Sequence, residues 1–278
     1  MTTEQLVVVT TPRQDSLDGV REFLEFARQW QSEEKRIRMV VVAMPSQTEP
    51  AVRRDLIALL SRDEHLAEMT PAADGCGPLF KFAAEASFRR GDDIFAVIHV
   101  PIDADFSDPA LHVKLLAGIL DKPQVALMLG DYKATSLTKI LVGNAVLEQL
   151  KHFDIPVFAQ QARTEFWAIR RAAFESASKA GAFAPFDPIP FVSQYLGKKG
   201  LAVESVDLGT FHERDATSNV ARACNQILRF VHQAASAFLQ VRRGCAACLQ
   251  GQTNRRTGKA FDRMLTVSNE IRRRGDAC

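Results

Sequence analysis

The pattern of hydrophobic and polar positions alternates between two periods along the first half of the chain. Unbroken apolar runs predict buried strands, and stretches in which apolar residues recur every three or four positions predict amphipathic helices. The predicted strands are Leu6–Val9, Met39–Val42, Ile94–Val100 and Gln124–Leu129, and the predicted helices are Leu17–Gln31, Pro50–Ser61, Pro78–Arg89 and Leu111–Leu120. Because strands and helices that alternate in this way build a mostly parallel sheet with helices on both faces, we predict an α/β fold.

The second half of the chain is less regular. Three prolines within residues 185–190 predict a loop or a helix entry, and Gly200 is suited to end a helix. The predicted helices are Thr135–Phe153, Arg171–Ala180, Ile189–Lys199 and Thr217–Val241, and the predicted strands are Phe166–Ile169 and Leu201–Leu208. We divide the chain into residues 1–130, residues 131–243 of the same domain, and a basic tail of residues 244–278. The sequence leaves two possibilities for this tail: it is a helical segment that forms a homodimer, or it is a disordered extension.

Charge and composition narrow the class of protein. The 35 Lys and Arg residues nearly cancel the 33 Asp and Glu residues, which leaves no strong field to attract nucleic acid or anionic lipid. No apolar run reaches 18 residues, so we expect no transmembrane segment. The N-terminus lacks the basic region of a signal peptide, and five cysteines do not fit a secreted disulfide framework. We therefore expect a cytoplasmic protein with small-molecule partners and no nucleic-acid partner.

Two aspartates, Asp103 and Asp105, directly follow the predicted strand at Ile94–Val100. Open α/β sheets bind their ligands at the carboxyl ends of the strands, which is where this pair lies. Carboxylates one residue apart can share one hard cation, and Mg²⁺ or Mn²⁺ prefers such ligands while keeping positions open for phosphate oxygens. A solvated turn whose aspartates cap the next helix is the alternative that the local sequence leaves open.

Glu165 and His212 are further candidates near predicted strand ends. Glu165 precedes an apolar pair, and an acid that enters a core-facing segment costs free energy unless it is paired or used. The paired alternative is a salt bridge to Arg170 or Arg171. His212 follows the last predicted strand, where a metal ligand and a hydrogen-bonded structural residue are both open.

The order of these segments resembles the GT-A nucleotide-sugar glycosyltransferases. Asp103 and Asp105 form an Asp-x-Asp motif, and residues 164–171 (TEFWAIRR) are similar to the acidic, apolar and Arg-Arg element on the acceptor side. Residues 203–212 (VESVDLGTFH) are similar to the strand that ends in a metal-binding histidine, in the branch that holds mannosylglycerate synthase and glucosyl-3-phosphoglycerate synthase. The resemblance spans residues 5–240. It implies a Rossmann-like GT-A sheet with a C-terminal helical extension, in which residues 1–130 hold the nucleotide sugar and residues 131–243 hold the acceptor.

The resemblance also implies roles for individual residues. Asp105 and His212 would bind the Mg²⁺ or Mn²⁺ ion. Glu165 would lie beside the donor sugar or the acceptor, and Asp187 near the acceptor, as the catalytic pair. The nucleotide part of the donor would contact Thr10, Thr11, Arg13, Gly75, Gly77 and Asp103.

One segment departs from the pattern of these glycosyltransferases. A Gly-Lys-Gly type of turn is common before the helix that leads to the Asp-x-Asp strand, and here Cys76 stands between Gly75 and Gly77. The glycines still let the backbone approach a phosphate, but a cationic contact is lost. Lys81 follows about one helical turn later as a substitute to be tested.

The leading hypothesis is therefore a metal-dependent glycosyltransferase that moves a sugar from a GDP- or UDP-linked donor to a small hydroxylated acceptor, with retention of configuration. The cation would neutralise charge that develops on the leaving diphosphate. A non-catalytic nucleotide-sugar-binding protein of the same fold and a sugar nucleotidyltransferase are the alternatives. Cys245 and Cys248 form a CxxC pair without a second pair or paired histidines, so we assign them no function.

Overall fold

The computed structural model describes most of the residues before 212 and a few beyond. The described residues are 5–10, 17–43, 50–60, 66–69, 76–89, 91–101, 114–115, 118–134, 137–152, 156–159, 164–184, 188–211, 227–228 and 231. In these ranges, no helix has both the length and the apolar character that a membrane span requires. The predicted basic tail and most of the predicted helix over Thr217–Val241 lie outside the described residues.

Strands from both halves of the chain join in one sheet. They are β1 (Gln5–Thr10), β2 (Ile37–Ala43), β3 (Leu66–Met69), β4 (Ile94–His99), β5 (Val125–Ala134), β6 (Trp167–Arg170) and β7 (Ala202–Phe211). Their order across the sheet is β3-β2-β1-β4-β6-β5-β7. All pairs are parallel except those of β6, which runs antiparallel to both β4 and β5.

Helices cover the sheet on both faces. Their bounds are α1 (Leu17–Glu33), α2 (Pro50–Leu60), α3 (Cys76–Arg89), α4 (Leu137–His152), α5 (Arg171–Lys179) and α6 (Ile189–Lys198). Because successive strand residues point to opposite faces, β1 contributes to two separate apolar clusters. Leu6 and Val8 belong to the cluster that holds the buried stripe of α1, whereas Val7 and Val9 belong to the cluster formed with α3, α5 and α6. The sheet is thus buried on both sides, as its continuous apolar strands predict.

Within the described residues the predicted elements are confirmed apart from one additional strand and shifts in where elements begin and end, and part of the predicted helix Leu111–Leu120 lies outside these residues. Strand β3 was not predicted, because its sequence Leu-Ala-Glu-Met lacks the branched apolar run that marked the other strands. Strand β5 continues to Ala134, well past the predicted end at Leu129. The predicted helix end is confirmed: α6 ends at Lys198, and Gly200 has a φ angle of 72° that favours glycine.

Gly130 of β5 packs closely against Leu208 of β7 and against Phe166, the residue before β6. A Cβ atom at this position would lie 2.6 Å from Leu208 Cδ1 and 2.7 Å from Phe166 Cβ. Since both neighbours are buried, we expect Gly130→Ala to lower the free energy of unfolding by about 2–3 kcal/mol, in the upper range for overpacking a core. Urea denaturation would measure the change.

Helical Gly118 offers a matched control for this substitution. Its added Cβ would meet only the flexible side chain of Met128, at 3.2 Å, and alanine favours the helix over glycine by about 1 kcal/mol. Gly118→Ala should therefore change stability by less than about 1 kcal/mol. Equal losses in the two variants would contradict the packing at Gly130.

Candidate functional site

Two of the predicted site residues lie at the same edge of the sheet. In the register, Val9 of β1 is paired with His99 of β4, and His99 is paired with Trp167 of β6. Thr10 follows Val9, so it lies one residue nearer the carboxyl ends of the parallel strands. Because β6 is antiparallel, the residues that precede Trp167, including Glu165, lie at this edge as well. The strand that leads to Asp103 and Asp105 therefore ends between Thr10 and Glu165.

Thr10 presents an unsatisfied hydroxyl at this edge. The residue is fully buried, and its Oγ1 has no hydrogen-bond partner within the described part of the chain. A buried hydroxyl without a partner costs about 1–3 kcal/mol, so a ligand that supplies a partner gains a favourable contact. This geometry fits the role that the sequence analysis gives Thr10 in holding a nucleotide.

The backbone around Glu165 is fixed by hydrogen bonds on both sides. The buried Thr164 hydroxyl donates to the Gly130 carbonyl at 2.5 Å and accepts from the Phe166 amide at 3.2 Å. The Gly130 amide in turn donates to the Phe166 carbonyl at 2.8 Å. Glu165 itself is half-buried between these anchored neighbours. The edge of the sheet at the carboxyl ends of the parallel strands is called the ligand edge below. An acid whose backbone is held in this way can act at a defined place on the ligand edge.

His99 adds a third contact to the same segment. Its Nδ1 lies 2.6 Å from the backbone oxygen of Glu165. Because a carbonyl oxygen only accepts, Nδ1 carries the proton and donates. The imidazole is buried, stacks on Trp167 with a centroid distance of 5.5 Å, and meets the edge of Phe80 at 5.6 Å. His99 is not among the residues predicted from the sequence, although a histidine at the end of the apolar strand Phe-Ala-Val-Ile-His was the available signal.

The environment of His99 favours its neutral form. Burial lowers the pKa of this imidazole below the ordinary 6.5, and the backbone carbonyl and carboxylate charge of Glu165 oppose that shift less strongly. The unfolded chain therefore binds a proton at His99 at a higher pH than the folded chain does. The contribution of His99 to stability is fully present above about pH 6.5 and is lost as the pH falls toward the depressed pKa.

This linkage gives a pH-dependent prediction. Between pH 7 and pH 5 the free energy of unfolding should fall with a contribution from His99 of at most about 1.4 kcal/mol per pH unit. His99→Leu should remove this contribution, so that the original protein loses stability relative to His99→Leu as the pH falls. Urea denaturation at several pH values measures it, and parallel curves for the two proteins would contradict the buried neutral state.

The two arginines after β6 have a structural role at the opposite edge of the sheet. Arg170 donates to the carbonyls of Val125 at 2.9 Å and Ile119 at 2.5 Å, where β5 begins. Arg171 donates to the carbonyls of Ile94 at 2.9 Å and Phe88 at 2.8 Å, where β4 begins. Since Glu165 lies at the other end of β6, the structure does not support the salt-bridge alternative for this acid.

Of the predicted glycine-containing turn, Cys76 and Gly77 lie in the first turn of α3, whereas Gly75 lies outside the described residues. Because α3 follows a parallel strand, its N-terminus lies on the side of the carboxyl edge, and the helix begins at Cys76 with Gly77 buried in its first turn. Lys81 lies further along α3, where its Nζ is 3.2 Å from Glu85 Oε1 in an ion pair between partly exposed side chains, and its substitution for the lysine that Cys76 replaces stays a prediction.

The remaining predicted site residues lie outside the described residues: Thr11, Arg13, Gly75, Asp103, Asp105, Asp187 and His212. The description reaches Pro101, two residues before Asp103, and Phe211, one residue before His212. No group of three His, Cys, Asp or Glu side chains able to hold a metal occurs among the described residues, which do not include the two proposed ligands. Their roles remain predictions.

Several solved structures share this fold. Mannosyl-3-phosphoglycerate synthase from Rubrobacter xylanophilus is 19% identical with a TM-score of 0.61, over 90% of this chain and 77% of that one. Glucosyl-3-phosphoglycerate synthase from Mycobacterium tuberculosis, in complex with Mn²⁺, UDP and phosphoglyceric acid, is 14% identical with a TM-score of 0.57, over 83% and 78%. A mycobacterial protein is 18% identical with a TM-score of 0.61, over 84% and 74%.

At the level of sequence, no family model and no curated protein matches the chain. Identities below 20% over most of both chains show a common fold. The predicted GT-A fold, with its mostly parallel sheet, is therefore confirmed. The resemblance to the branch that holds glucosyl-3-phosphoglycerate synthase is confirmed at the level of the fold.

Proposed function

We propose that this protein is a metal-dependent glycosyltransferase that moves a sugar from a nucleoside diphosphate sugar to a small hydroxylated acceptor. The observation that carries the proposal is the placement of Glu165 at the ligand edge, beside the end of the strand that leads to Asp103 and Asp105. The same fold occurs in synthases that transfer mannose or glucose units to 3-phosphoglycerate, as their names state. Phosphoglyceric acid is therefore the first acceptor to test.

A divalent cation, Mg²⁺ or Mn²⁺, would be held by Asp105 and His212. A carboxylate oxygen and an imidazole nitrogen form a donor set that Mn²⁺ accepts. When bound, the ion supplies positive charge that stabilises the leaving diphosphate. A glucosyl-3-phosphoglycerate synthase of the same fold contains Mn²⁺ together with UDP, which supports this assignment.

The order of the strands in the sheet determines how far apart the segments that lead to Asp105 and His212 begin. Strands β4 and β7 are separated by β6 and β5, which corresponds to about 14 Å across the sheet. The four residues from Pro101 to Asp105 can span about 13 Å. On the other side, β7 has a bulge against β5 near Leu208, and Gly209 has a φ angle of 85°, a combination that bends a strand. The two ligands can therefore meet only if these segments converge above the edge.

The nucleotide is assigned to the amino-terminal half of the edge. The Thr10 hydroxyl has no hydrogen-bond partner among the described residues, and Thr11 and Arg13 follow it in the chain. Gly77, in the first turn of α3, and Gly75, which precedes the helix in the sequence, would allow backbone amides to approach the diphosphate. Asp103 would contact the ribose and the sugar. Titration with UDP and with GDP at fixed Mn²⁺ decides whether the base is uracil or guanine.

Transfer with retention is the second part of the proposal. In this scheme Glu165 contacts the donor sugar or the acceptor, and Asp187 lies near the acceptor. The acceptor hydroxyl attacks the anomeric carbon from the face on which the diphosphate departs, as the bond to the diphosphate breaks, and a leaving phosphate oxygen takes the hydroxyl proton. No dedicated base is then required. Determination of the anomeric configuration of the product by NMR tests this assignment, since inversion would contradict it.

One observation favours a second candidate, a nucleotide-sugar-binding protein without transferase activity. Cys76 stands where the Gly-Lys-Gly type of turn has its lysine, and Lys81 forms an ion pair with Glu85. Titration with UDP and with GDP at fixed Mn²⁺, followed by measurement of nucleotide release from the corresponding donor sugars, separates the two. We expect binding of one nucleotide and turnover of its sugars with an acceptor. Binding without any turnover would support the second candidate and contradict the first.

The replaced lysine gives a prediction of its own. Cys76→Lys restores a cation at the first residue of α3, where it should tighten binding of the nucleoside diphosphate by about 1 kcal/mol, or about fivefold. Calorimetric titration at fixed Mn²⁺ measures the change, with Lys81→Gln as the control that should leave affinity nearly unchanged. A neutral result for Cys76→Lys would show that this turn does not face the diphosphate.

A further inference from the structure

The contact between His99 and Glu165 joins two parts of the chain that are 66 residues apart in sequence. On one side is β4, the strand that continues toward Asp103 and Asp105. On the other side is the peptide group of Glu165, just before β6. The 2.6 Å bond from Nδ1 therefore ties the proposed acid to the strand of the proposed Asp-x-Asp motif.

Packing alone does not account for a histidine at this place. The imidazole is surrounded by Phe80 and Trp167, and the neighbouring strand residues Val97 and Ile98 are fully buried and apolar. An aliphatic side chain would fill such a site without bringing a polar ring into the core, which costs free energy unless the ring is hydrogen-bonded. What histidine adds, relative to leucine, is a rigid donor aimed at the Glu165 carbonyl.

We propose that His99 is a positioning residue that holds the carboxylate of Glu165 in place for sugar transfer. This inference rests on the proposed function and adds a residue to it. Thr164 and Phe166 fix the backbone before and after Glu165 through Gly130, and His99 fixes the carbonyl of Glu165 itself. With the backbone held at these three points, the Cα and Cβ atoms from which the carboxylate extends keep their place. A shift of about 1 Å in a reacting group can cost about 100-fold in rate.

Two substitutions of His99 separate positioning from packing. His99→Leu retains an apolar side chain of similar size but removes the donor. His99→Asn loses the aromatic ring, while its amide nitrogen can occupy the place of Nδ1 and donate to the same carbonyl. The leucine variant should therefore be the more stable of the two and the less active. Phe174→Leu is the packing control, because Phe174 lies in the same aromatic cluster and contacts Phe80 but is not in ring contact with His99.

The first measurement needs no substrate. Deuterium exchange of the backbone amides of Glu165 and Phe166 reports whether their segment is held. We expect exchange at least about tenfold faster in His99→Leu, and within about threefold of the original protein in His99→Asn and Phe174→Leu. Unchanged exchange in His99→Leu, or equally fast exchange in both His99 variants, would overturn the anchoring of Glu165.

The second measurement is transfer kinetics with the donor and acceptor found for the original protein. His99→Leu should lower kcat by about 10- to 100-fold, with the KM for the donor within about threefold. His99→Asn should keep kcat within about threefold despite its lower melting temperature. If kcat follows melting temperature across the three variants, His99 has a packing role and the proposal is wrong. If the original protein shows no transfer, the proposed function fails, and the exchange result still decides whether His99 holds Glu165.

Discussion

Replacing Glu165 by glutamine should lower kcat by about 100-fold or more, while the affinity for the nucleoside diphosphate stays within about twofold. Glutamine keeps the shape of the side chain and removes its charge. Because Glu165 lies at the ligand edge and its backbone is anchored by Thr164 and His99, its charge is expected to act on the sugar during transfer rather than on the nucleotide. Steady-state kinetics and calorimetric binding measure the two quantities separately.

The control for this variant is an acid of similar size away from the edge. Glu175 is exposed on α5, and Glu175→Gln should change neither kcat nor affinity. An equal loss of turnover and nucleotide affinity in Glu165→Gln, together with a lower melting temperature, would show that the acid has a structural role.

The second large effect is expected from Asp105→Ala. Loss of one of the two proposed protein ligands should raise the dissociation constant of Mn²⁺ by at least about tenfold and lower kcat/KM by at least about 100-fold, since charge stabilisation by a bound ion contributes several kcal/mol. Calorimetry or the paramagnetic signal of free Mn²⁺ measures the affinity. Exposed Asp121 provides the matched control, Asp121→Ala, which should bind Mn²⁺ as the original protein does.

If Asp105→Ala retains both Mn²⁺ affinity and activity, the metal assignment is wrong. His212→Ala extends this test to the second ligand. A loss in both variants is expected, because the two residues are proposed to bind one ion. A loss in Asp105→Ala alone would remove His212 from the site and leave the assignment to Asp105 intact.

Much of the fold follows from local pattern. The apolar stripe of α1 appears in the sequence as Val20, Phe23, Leu24 and Ala27, and all four side chains are buried in one core cluster. The strands β1, β2 and β4 each contain a continuous apolar run, as expected when both faces of a sheet are covered. These features are encoded residue by residue, so the sequence is sufficient to predict them.

The direction of β6 could not be predicted in the same way. Its four residues carry no signal for orientation, and its pairing with β4 and β5 is set by contacts between distant segments. Yet this orientation decides the chemistry, because it brings Glu165 to the ligand edge and sends Arg170 to the opposite edge. Local sequence suggested a salt bridge between these neighbours, whereas the antiparallel strand separates them.

The role of His99 likewise could not be predicted from the local sequence. A histidine in an apolar strand indicates a buried polar group, but its partner is a backbone carbonyl 66 residues away. Thr164 poses the same difficulty, since its hydroxyl bonds to Gly130 across 34 residues. The motif pointed to Glu165, and only the tertiary structure showed what holds it.

A crystal structure of the protein with a nucleoside diphosphate and Mn²⁺ tests the central proposal most directly. We expect the nucleotide to lie between the end of β1 at Thr10 and the segment of Glu165, with Mn²⁺ bound by Asp105 and His212 at about 2.0–2.6 Å and touching the diphosphate. A nucleotide bound elsewhere, or Asp105 and His212 too far apart to share one ion, would contradict it.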